Sequence, residues 1–294
     1  MNEIAPLLLC SDLDRTLIPN GRAPESPQAR ARLARLCAHP AVQLVFVSGR
    51  DLQLVLDAVD EWSLPQPDYI IGDVGTTIYA PRSRNGGGDG DWVHWSDWTD
   101  RIAPCWNGLT HDDVTDIFAD ITAIRPQELA KQGVFKASYN VDWSANRDVL
   151  DAELHGRLWR NGFDARLIWS VDESADEMQL DVLPTSASIL NAIEFLISHL
   201  AFDQRRAMFA GDSTTDVHAL VSHINGVLVG NAESCVRERA RQMARAGALE
   251  DTLYLARGGL FGMNGNYAAG VLEGLAHFLP ETRPLMALEH GSPA

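Results

Sequence analysis

Residues 7–17 read LLLCSDLDRTL, and this stretch decides the fold that we predict for the chain. A continuous apolar run that ends in two aspartates, Asp12 and Asp14, is typical of a buried parallel strand that brings carboxylates to a sheet edge. Because side chains alternate along a strand, we expect both carboxylates to leave on the same side. Open α/β sheets bind their ligands at this edge, so the pair predicts a functional site there.

Two interpretations of these residues are open at this point. A bound divalent cation would relieve the repulsion between the carboxylates, and hard cations such as Mg²⁺ take oxygen ligands of this kind. Alternatively, the strand simply runs into a polar turn in which Asp14 or Thr16 is a capping residue. The downstream sequence decides between them.

Composition excludes several classes of protein. The 294 residues allow one large domain or two smaller ones. A net charge of −16 argues against a nucleic-acid or anionic-membrane partner. Four widely spaced cysteines suggest neither a zinc site nor a disulfide framework, and the only apolar run near the N-terminus stops at Asp12. We therefore expect a cytoplasmic protein.

The next segments alternate between helix and strand, which indicates a parallel sheet. Residues 26–36 and 51–61 are predicted helices, and 42–47 is the strand between them. The strand ends in Ser48-Gly49-Arg50, where a hydroxyl, a glycine and a helix N-terminus suit a phosphate. The competing interpretation is that Ser48 only caps the helix and Gly49 only makes the turn.

A change in sequence character predicts an inserted domain. A strand, turn and return strand at 68–79 precede the turn-rich stretch 81–91, which we take as a boundary. Seven of the eight tryptophans lie between there and residue 182, among predicted strands at 134–139 and 165–169 and helices near 111–123 and 145–161. These tryptophans either fill a core or stack on sugars. We predict a core at 1–81 and 183–294 and an α+β cap at 82–182.

The sheet pattern then resumes and supplies a third polar cluster. A predicted strand at 206–210 runs into residues 211–216, GDSTTD, which contain Asp212 and Asp216. If the strands are neighbours, this cluster meets Asp12 and Ser48 at one edge, as a metal site beside a phosphate site. A helix is predicted at about 186–200, and residues 282–294 are predicted to be a loose tail.

The order and spacing of these clusters resemble the haloacid dehalogenase (HAD) superfamily of phosphatases. Residues 12–16 match its first motif, 48–50 its second and 211–216 its fourth. The insertion is similar to the subclass with an α+β lid. Segments 72–76, 135–139, 226–232 and 270–274 resemble the sucrose-phosphate phosphatase group, which includes the mannosylfructose-phosphate phosphatases.

The resemblance implies a Rossmann-like α/β core with an inserted cap, and a Mg²⁺-dependent phosphatase. Its substrate would be a sugar phosphate, such as the disaccharide phosphate sucrose 6-phosphate, and a sugar-phosphate synthase would be a partner. Asp12 would be the nucleophile that forms an aspartyl-phosphate, and Asp14 the general acid and base. The implied Mg²⁺ ligands are the Asp12 carboxylate, the Asp14 backbone carbonyl and the Asp212 carboxylate, supported by Ser213 and Asp216. The implied phosphate- and substrate-binding residues are Ser48, Gly49, Arg50 and Lys136.

The chain departs from the family pattern at two places. Ile189 and Leu190 stand where the family has a lysine and a glycine, and the only lysines, Lys131 and Lys136, lie in the predicted cap. Such an electrostatic contact to a transition state is worth a few kcal/mol, or roughly a hundredfold in rate. Arg50 or Lys136 would have to replace it. Thr215 stands where the group has asparagine.

The departures leave two alternatives to a phosphatase. One is a pseudo-enzyme of the same fold that binds a sugar phosphate or a partner protein. The other is a mutase, which passes the phosphoryl group to another sugar hydroxyl, although a large cap argues against it.

Overall fold

The computed structural model of the chain describes residues 4–82, 92–172 and 177–288. The strands in these ranges are β1 (Leu7–Asp12), β2 (Val42–Val47), β3 (Tyr69–Gly72), β4 (Thr77–Pro81), β5 (Trp92–His94), β6 (Ile124–Pro126), β7 (Ala137–Val141), β8 (Ala165–Asp172), β9 (Glu177–Pro184), β10 (Ala207–Gly211), β11 (Asn225–Leu228) and β12 (Leu253–Leu255). The α-helices are α1 (Ala29–Cys37), α2 (Leu52–Glu61), α3 (Ser96–Ile102), α4 (His111–Phe118), α5 (Arg147–Arg160), α6 (Ile189–His199), α7 (Val217–Leu220), α8 (Ser234–Gly247) and α9 (Ala268–Phe278).

Eight strands form the larger sheet, in the order β12-β11-β10-β1-β2-β3-β4-β5. Neighbours from β12 to β3 are parallel, whereas β4 and β5 are antiparallel additions at one edge. The predicted α/β fold class is confirmed. Because β1 lies between β10 and β2, the three polar clusters that follow these strands meet at one edge of the sheet.

Both faces of the larger sheet are covered, which explains the continuous apolar run in β1. Leu7 and Leu9 are fully buried on the face covered by α1 and α9. Leu8 and Cys10 are fully buried on the opposite face, against α6 and α8. Burying a leucine side chain contributes roughly 1.5–3 kcal/mol, so this strand is firmly fixed beneath the site that it positions.

A second sheet, of antiparallel strands in the order β6-β7-β9-β8, forms the centre of the inserted segment. Alternate residues of β7 face α4 and α5, where Tyr139 packs with Trp106 and Leu154 in a separate apolar core. Ser138 faces the other way, into a cavity at the edge of the larger sheet. This alternation is typical of a sheet with one buried and one polar face.

The structure supports different cap boundaries from those that we predict. β5 belongs to the larger sheet, and Trp98 and Ile102 of α3 are fully buried in the same core as Leu8. Among the described residues, Trp106 is the first buried member of the cap core, and Cys105 packs against this core. We therefore propose that the cap begins near residue 103 and ends near residue 184. The stretch 83–91, where the sequence suggests a boundary, lies outside the described residues.

The prediction of a loose tail from residue 282 is wrong for its first part. A 3₁₀ helix spans Pro280–Met286, and its Thr282 and Met286 side chains are fully buried. Met286 packs in the core beside α1 and α9, and Arg32 donates a hydrogen bond to its carbonyl at 2.9 Å. Residues 289–294 lie outside the described residues.

Candidate active site

The site lies where three adjacent parallel strands end. Asp12 is the last residue of β1, Ser48 follows β2, and Asp212 follows β10. Asp12 is in register with the last residue of β2, so it lies beside Ser48. Asp12, Asp14, Ser48 and Gly49 line one cavity, which brings together the residues of the first two predicted clusters.

Three carboxylates form a compact cluster at the base of this cavity. Oxygen atoms of Asp12, Asp212 and Asp216 all lie within 4.8 Å of one another. Asp216 Oδ2 accepts hydrogen bonds from the Asp212 N–H at 3.2 Å, the Ser213 N–H at 3.0 Å and the Ser213 hydroxyl at 2.8 Å. These bonds fix the Asp216 carboxylate, and Ser213 acts on the cluster through it.

The cluster is short of positive charge, as its pKa shifts show. Burial raises the pKa of Asp12 well above its usual range, and the charges of Asp216, Asp212 and Asp14 raise it further. Burial and the Asp216 charge raise the pKa of Asp212 to about 7, although Arg15 opposes this shift. A divalent cation bound to these oxygens would relieve the repulsion, and hard oxygen ligands suit Mg²⁺.

Arg15 is a member of the site that the sequence does not single out. Its Nε lies 3.2 Å from Asp212 Oδ2, and its Nη2 lies 3.3 Å from Glu233 Oε1. The backbone of Arg15 is left-handed, with φ 61°, in the tight turn after β1. A non-glycine residue in this conformation is uncommon, and here the turn places the Arg15 side chain beside Asp212. No periodicity or composition signal predicts this placement.

Asp14 is held by Arg50 rather than standing free. The guanidinium donates two hydrogen bonds to the Asp14 carboxylate, from Nε at 2.9 Å and from Nη2 at 2.6 Å. Asn20, which sequence reasoning missed, donates a third at 2.8 Å. Asp14 follows β1 in a turn, so strand alternation does not orient its side chain. Even so, Asp12, Asp14 and Arg50 line the same cavity.

Lys136 reaches the core from the cap. It lies in a tight turn before β7, closed by a 2.9 Å bond from the Gly133 N–H to the Lys136 carbonyl, so the strand predicted from residue 134 begins only at residue 137. Its ammonium donates to Asp73 Oδ1 at 2.8 Å and to the Gly49 carbonyl at 3.4 Å. Both charged side chains are almost fully buried. Lys136 lines the cavity, but its charge is committed to Asp73.

Ile189 is the residue that the resemblance predicts at the position of the family's motif lysine. It is the first residue of α6 and lines the cavity that contains Asp12. The helix start is fixed against Gly75, where an added Cβ would lie only 2.6 Å from the Ser188 carbonyl carbon. Thr215 also lines the cavity, and its hydroxyl lies 2.7 Å from that of Ser213. The first turn of α6 therefore presents an apolar side chain to this cavity.

The cap closes the cavity with a polar surface. The cavity has a volume of about 450 Å³, within the size range of small-molecule sites. Its cap residues are Gln127, Ala130, Lys131, Lys136, Ser138, Ile168, Ser170, Gln179 and Asp181. Hydroxyl, amide and carboxylate groups on this surface can form hydrogen bonds with the hydroxyls of a polyhydroxylated ligand. Trp143 and Trp159 are exposed elsewhere on the cap and do not line this cavity.

Comparison with known protein families assigns the chain to one of them. The model of the sucrose-6F-phosphate phosphohydrolase family matches residues 5–279. The chain belongs to this family. It is therefore a phosphoric monoester hydrolase of the HAD fold, as its three motifs predict.

Several known proteins resemble the chain over most of its length. A protein of Nitrosococcus oceani, named no more specifically than a HAD-like hydrolase, is 47% identical over 95% of this chain and 74% of its own length. The mannosylfructose-phosphate phosphatase of Agrobacterium fabrum is 28% identical over 92% of this chain and 96% of its own. The sucrose-phosphatase of Synechocystis, solved with sucrose and phosphate, is 26% identical, with a TM-score of 0.73 and coverage of 94% and 98%.

Across residues 4–82, 92–172 and 177–288, no helix combines the length and the apolar character needed to cross a membrane.

Proposed function

We propose that the chain is a Mg²⁺-dependent phosphatase that hydrolyses a disaccharide phosphate, such as sucrose 6-phosphate, through an aspartyl-phosphate on Asp12. The observation that carries the proposal is the meeting of Asp12, Asp212 and Asp216 within 4.8 Å, in a cavity that also contains Asp14 and Arg50. A nucleophile, a proton donor, a metal site and a cation for the phosphate then lie at one sheet edge beneath a polar cap.

The residues present fit a magnesium ion. We assign its protein ligands to the Asp12 carboxylate, the Asp14 backbone carbonyl and the Asp212 carboxylate, with Asp216 and Ser213 orienting the set. The raised pKa values of Asp12 and Asp212 identify a cluster that needs a counter-charge. When bound, the ion would neutralise charge on the transferring phosphoryl group.

Asp12 would attack phosphorus through one carboxylate oxygen, forming an aspartyl-phosphate as the bond to the sugar oxygen breaks. Asp14 would give a proton to the leaving sugar oxygen and then take one from the water that hydrolyses the intermediate. Arg50 links these roles, because an incoming phosphate competes with Asp14 for the guanidinium. Phosphate binding would thus weaken the two hydrogen bonds that Arg50 donates to Asp14. The Asp14 carboxylate must be released in this way before it can transfer a proton.

Arg50 is better placed than Lys136 to supply the charge missing at Ile189. Burial alone lowers the pKa of Arg50, but its hydrogen bonds and charge interaction with Asp14, and a smaller contribution from Asp12, raise it overall. Arg50 is thus coupled to both aspartates of the first motif. Lys136 is instead paired with Asp73.

Phosphate release from sucrose 6-phosphate and a panel of other sugar phosphates tests the proposal. We expect release in Mg²⁺, none in EDTA, and none from Asp12→Asn, which keeps the side-chain shape. Asp57→Asn, an exposed change on α2, is the matched control and should retain full activity. Release that persists in Asp12→Asn would contradict the aspartyl-phosphate route.

Ile189 supports a second candidate, a pseudo-enzyme that binds a sugar phosphate or a protein partner without efficient turnover. It predicts sugar-phosphate binding by calorimetry with no release from any panel member. A mutase would instead conserve organic phosphate, which phosphorus NMR of the products detects. The synthase partner and the cytoplasmic location that we predict rest on the resemblance and the composition, and they stay predictions.

A further inference from the structure

A second cavity lies beside the active site, between the cap and the core. Its volume is about 480 Å³. Strand β8 and the start of α5 form its cap side, and the first turn of α6 with residues of α7 and α8 forms its core side. Four residues line both this cavity and the active-site cavity: Val74, Ile168, Ile189 and Thr215.

The charged or titratable side chains that line this second cavity are three arginines and one histidine. Arg147 and Arg166 project from the cap, and Arg239 and His218 from the core, whereas no aspartate or glutamate lines it. The whole chain carries a net charge of −16, so a carboxylate-free pocket with three guanidinium groups is a local reversal of the surface charge.

The three arginines of this cavity differ from the arginines elsewhere in the chain that are paired with carboxylates. Arg15, Arg30, Arg50, Arg157 and Arg206 each form an ion pair with a carboxylate. Within the described ranges, neither Arg147, Arg166 nor Arg239 forms one. Arg166 only approaches the Ala187 carbonyl, at 3.5 Å, and burial lowers its pKa. An anion would compensate these unpaired charges.

The Trp169 ring lies against one of these guanidinium groups, that of Arg147. The Arg147 guanidinium lies 5.2 Å from the centre of the Trp169 ring. The ring itself is fixed by a 2.6 Å hydrogen bond from Nε1 to Asp151 Oδ1. A guanidinium that stacks on an aromatic face keeps its N–H groups free for a carboxylate or phosphate in the guanidinium plane.

We propose that the second cavity binds a small anion with a carboxylate or phosphate group, held by Arg147 and Arg166 from the cap and by Arg239 from the core. The bound anion joins the two parts of the chain next to the reacting groups. Two sources offer this chemistry: a second acidic group on a sugar-phosphate substrate, and a free anionic effector. The site does not depend on the proposed phosphatase activity.

Calorimetric titration with malonate, glycerate and inorganic phosphate, in EDTA and in the Asp12→Asn background, tests the site without turnover. We expect saturable binding of at least one probe, weakened roughly tenfold or more by Arg166→Gln or by Arg239→Gln. Arg160→Gln, a matched change on α5 outside the cavity, should leave it unchanged. Circular dichroism melts verify that each variant folds.

Several outcomes overturn the proposal. The first is that no probe binds at concentrations up to about 10 mM. The second is that both cavity variants bind the probe as well as the wild type does. The third is that Arg50→Gln abolishes binding instead, which would place the probe in the active site. Because these measurements need no catalysis, they stand apart from a failure of the phosphatase assay.

Kinetics of the Asp12-containing enzyme distinguish the two sources. If the anion belongs to the substrate, Arg166→Gln raises KM tenfold or more for a sugar phosphate that carries a glycerate carboxylate, and leaves KM for sucrose 6-phosphate unchanged. If it is a free effector, the binding probe changes the rate on sucrose 6-phosphate in the wild type but not in Arg166→Gln. A variant with unchanged values in both assays would contradict any coupling to the active site.

Discussion

Replacing Arg50 with glutamine separates the catalytic role of this arginine from its structural role. The Arg50 and Asp14 side chains are 31% and 40% exposed, so their ion pair contributes no more than about 1 kcal/mol to the free energy of unfolding. If Arg50 supplies the charge that Ile189 lacks, its loss removes about 2.7–4 kcal/mol of transition-state stabilisation. We therefore expect kcat to fall roughly a hundredfold to a thousandfold while stability barely changes.

A second substitution tests whether Arg50 truly replaces the motif lysine. Ile189→Lys places an ammonium at the first position of α6, on the wall of the same cavity. A cation at a helix N-terminus costs about 0.3–1 kcal/mol, which the fold tolerates. In the Arg50→Gln background this change should restore kcat at least tenfold, whereas alone it should change kcat less than about threefold, because Arg50 already provides the charge.

Initial rates of phosphate release at saturating substrate and Mg²⁺, together with urea unfolding, provide both measurements. Arg206→Gln is the control, because Arg206 pairs with Glu281 and donates to the Ala5 and Pro6 carbonyls, at the amino end of β10 and away from the site. It should lose at least as much stability as Arg50→Gln and keep its kcat. Arg50 does not replace the motif lysine if Arg50→Gln lowers kcat no more than Arg206→Gln, or if Ile189→Lys restores no kcat in the Arg50→Gln background.

Three further predictions concern the metal site, the cap contact and the phosphate turn. In EDTA the free energy of unfolding should fall as pH rises from about 4 to about 7, because the raised pKa of Asp212 makes the folded state hold a proton that the unfolded state releases. Asp212 alone would contribute about 4 kcal/mol, and the raised pKa of Asp12 acts in the same direction. Mg²⁺ should flatten this slope in urea titrations at several pH values, and a flat profile in EDTA would contradict the assignment. Lys136→Met should lower the free energy of unfolding by about 3–5 kcal/mol, since it leaves Asp73 buried without its partner, and adding Asp73→Asn should recover part of the loss in the same measurement. The exposed neighbour Lys131→Met should change it by less than about 0.5 kcal/mol. Gly49→Ala should leave the melting temperature unchanged, because the added Cβ would meet only Val74 Cγ2, at 3.8 Å. It should nevertheless raise KM several-fold, because the added methyl group narrows the cavity. Unchanged kinetics would mean that no ligand approaches the backbone at residue 49.

The strand ends of the site were predictable because their signals are local. An apolar run in β1 that stops at Asp12 needs burial on both faces, and the structure provides it through Leu7 and Leu8 on opposite sides. The rule that parallel strands present their carboxyl ends at one edge then brings Asp212 and Ser48 to the same place. None of this requires knowledge of distant side-chain contacts.

The pairing of charges was not predictable for the opposite reason. Arg50 meets Asp14 across 36 residues and Lys136 meets Asp73 across 63, and no periodicity in the sequence encodes such contacts. Arg15 was missed because its side chain is aimed by a left-handed backbone, which for a residue other than glycine has no compositional signal. The burial of Met286 was missed because its 3₁₀ helix has no amphipathic period to detect.

These ion pairs imply that each ligand that enters the site replaces one partner of an existing ion pair. Among the described residues, three cations at the carboxylate edge are engaged in ion pairs: Arg15 with Asp212, Arg50 with Asp14, and Lys136 with Asp73. Lys131 lies on the cap side of the same cavity. A metal ion on Asp212 would displace Arg15, and a phosphate on Arg50 would displace Asp14, so each binding step costs one ion pair and forms another. Because the partly exposed Arg50 pair is weak and the buried Lys136 pair is expensive to break, phosphate would draw on Arg50 and leave Lys136 holding the cap. An isoleucine at position 189 in place of a lysine is thus compatible with turnover, provided that the Arg50–Asp14 ion pair opens when substrate binds.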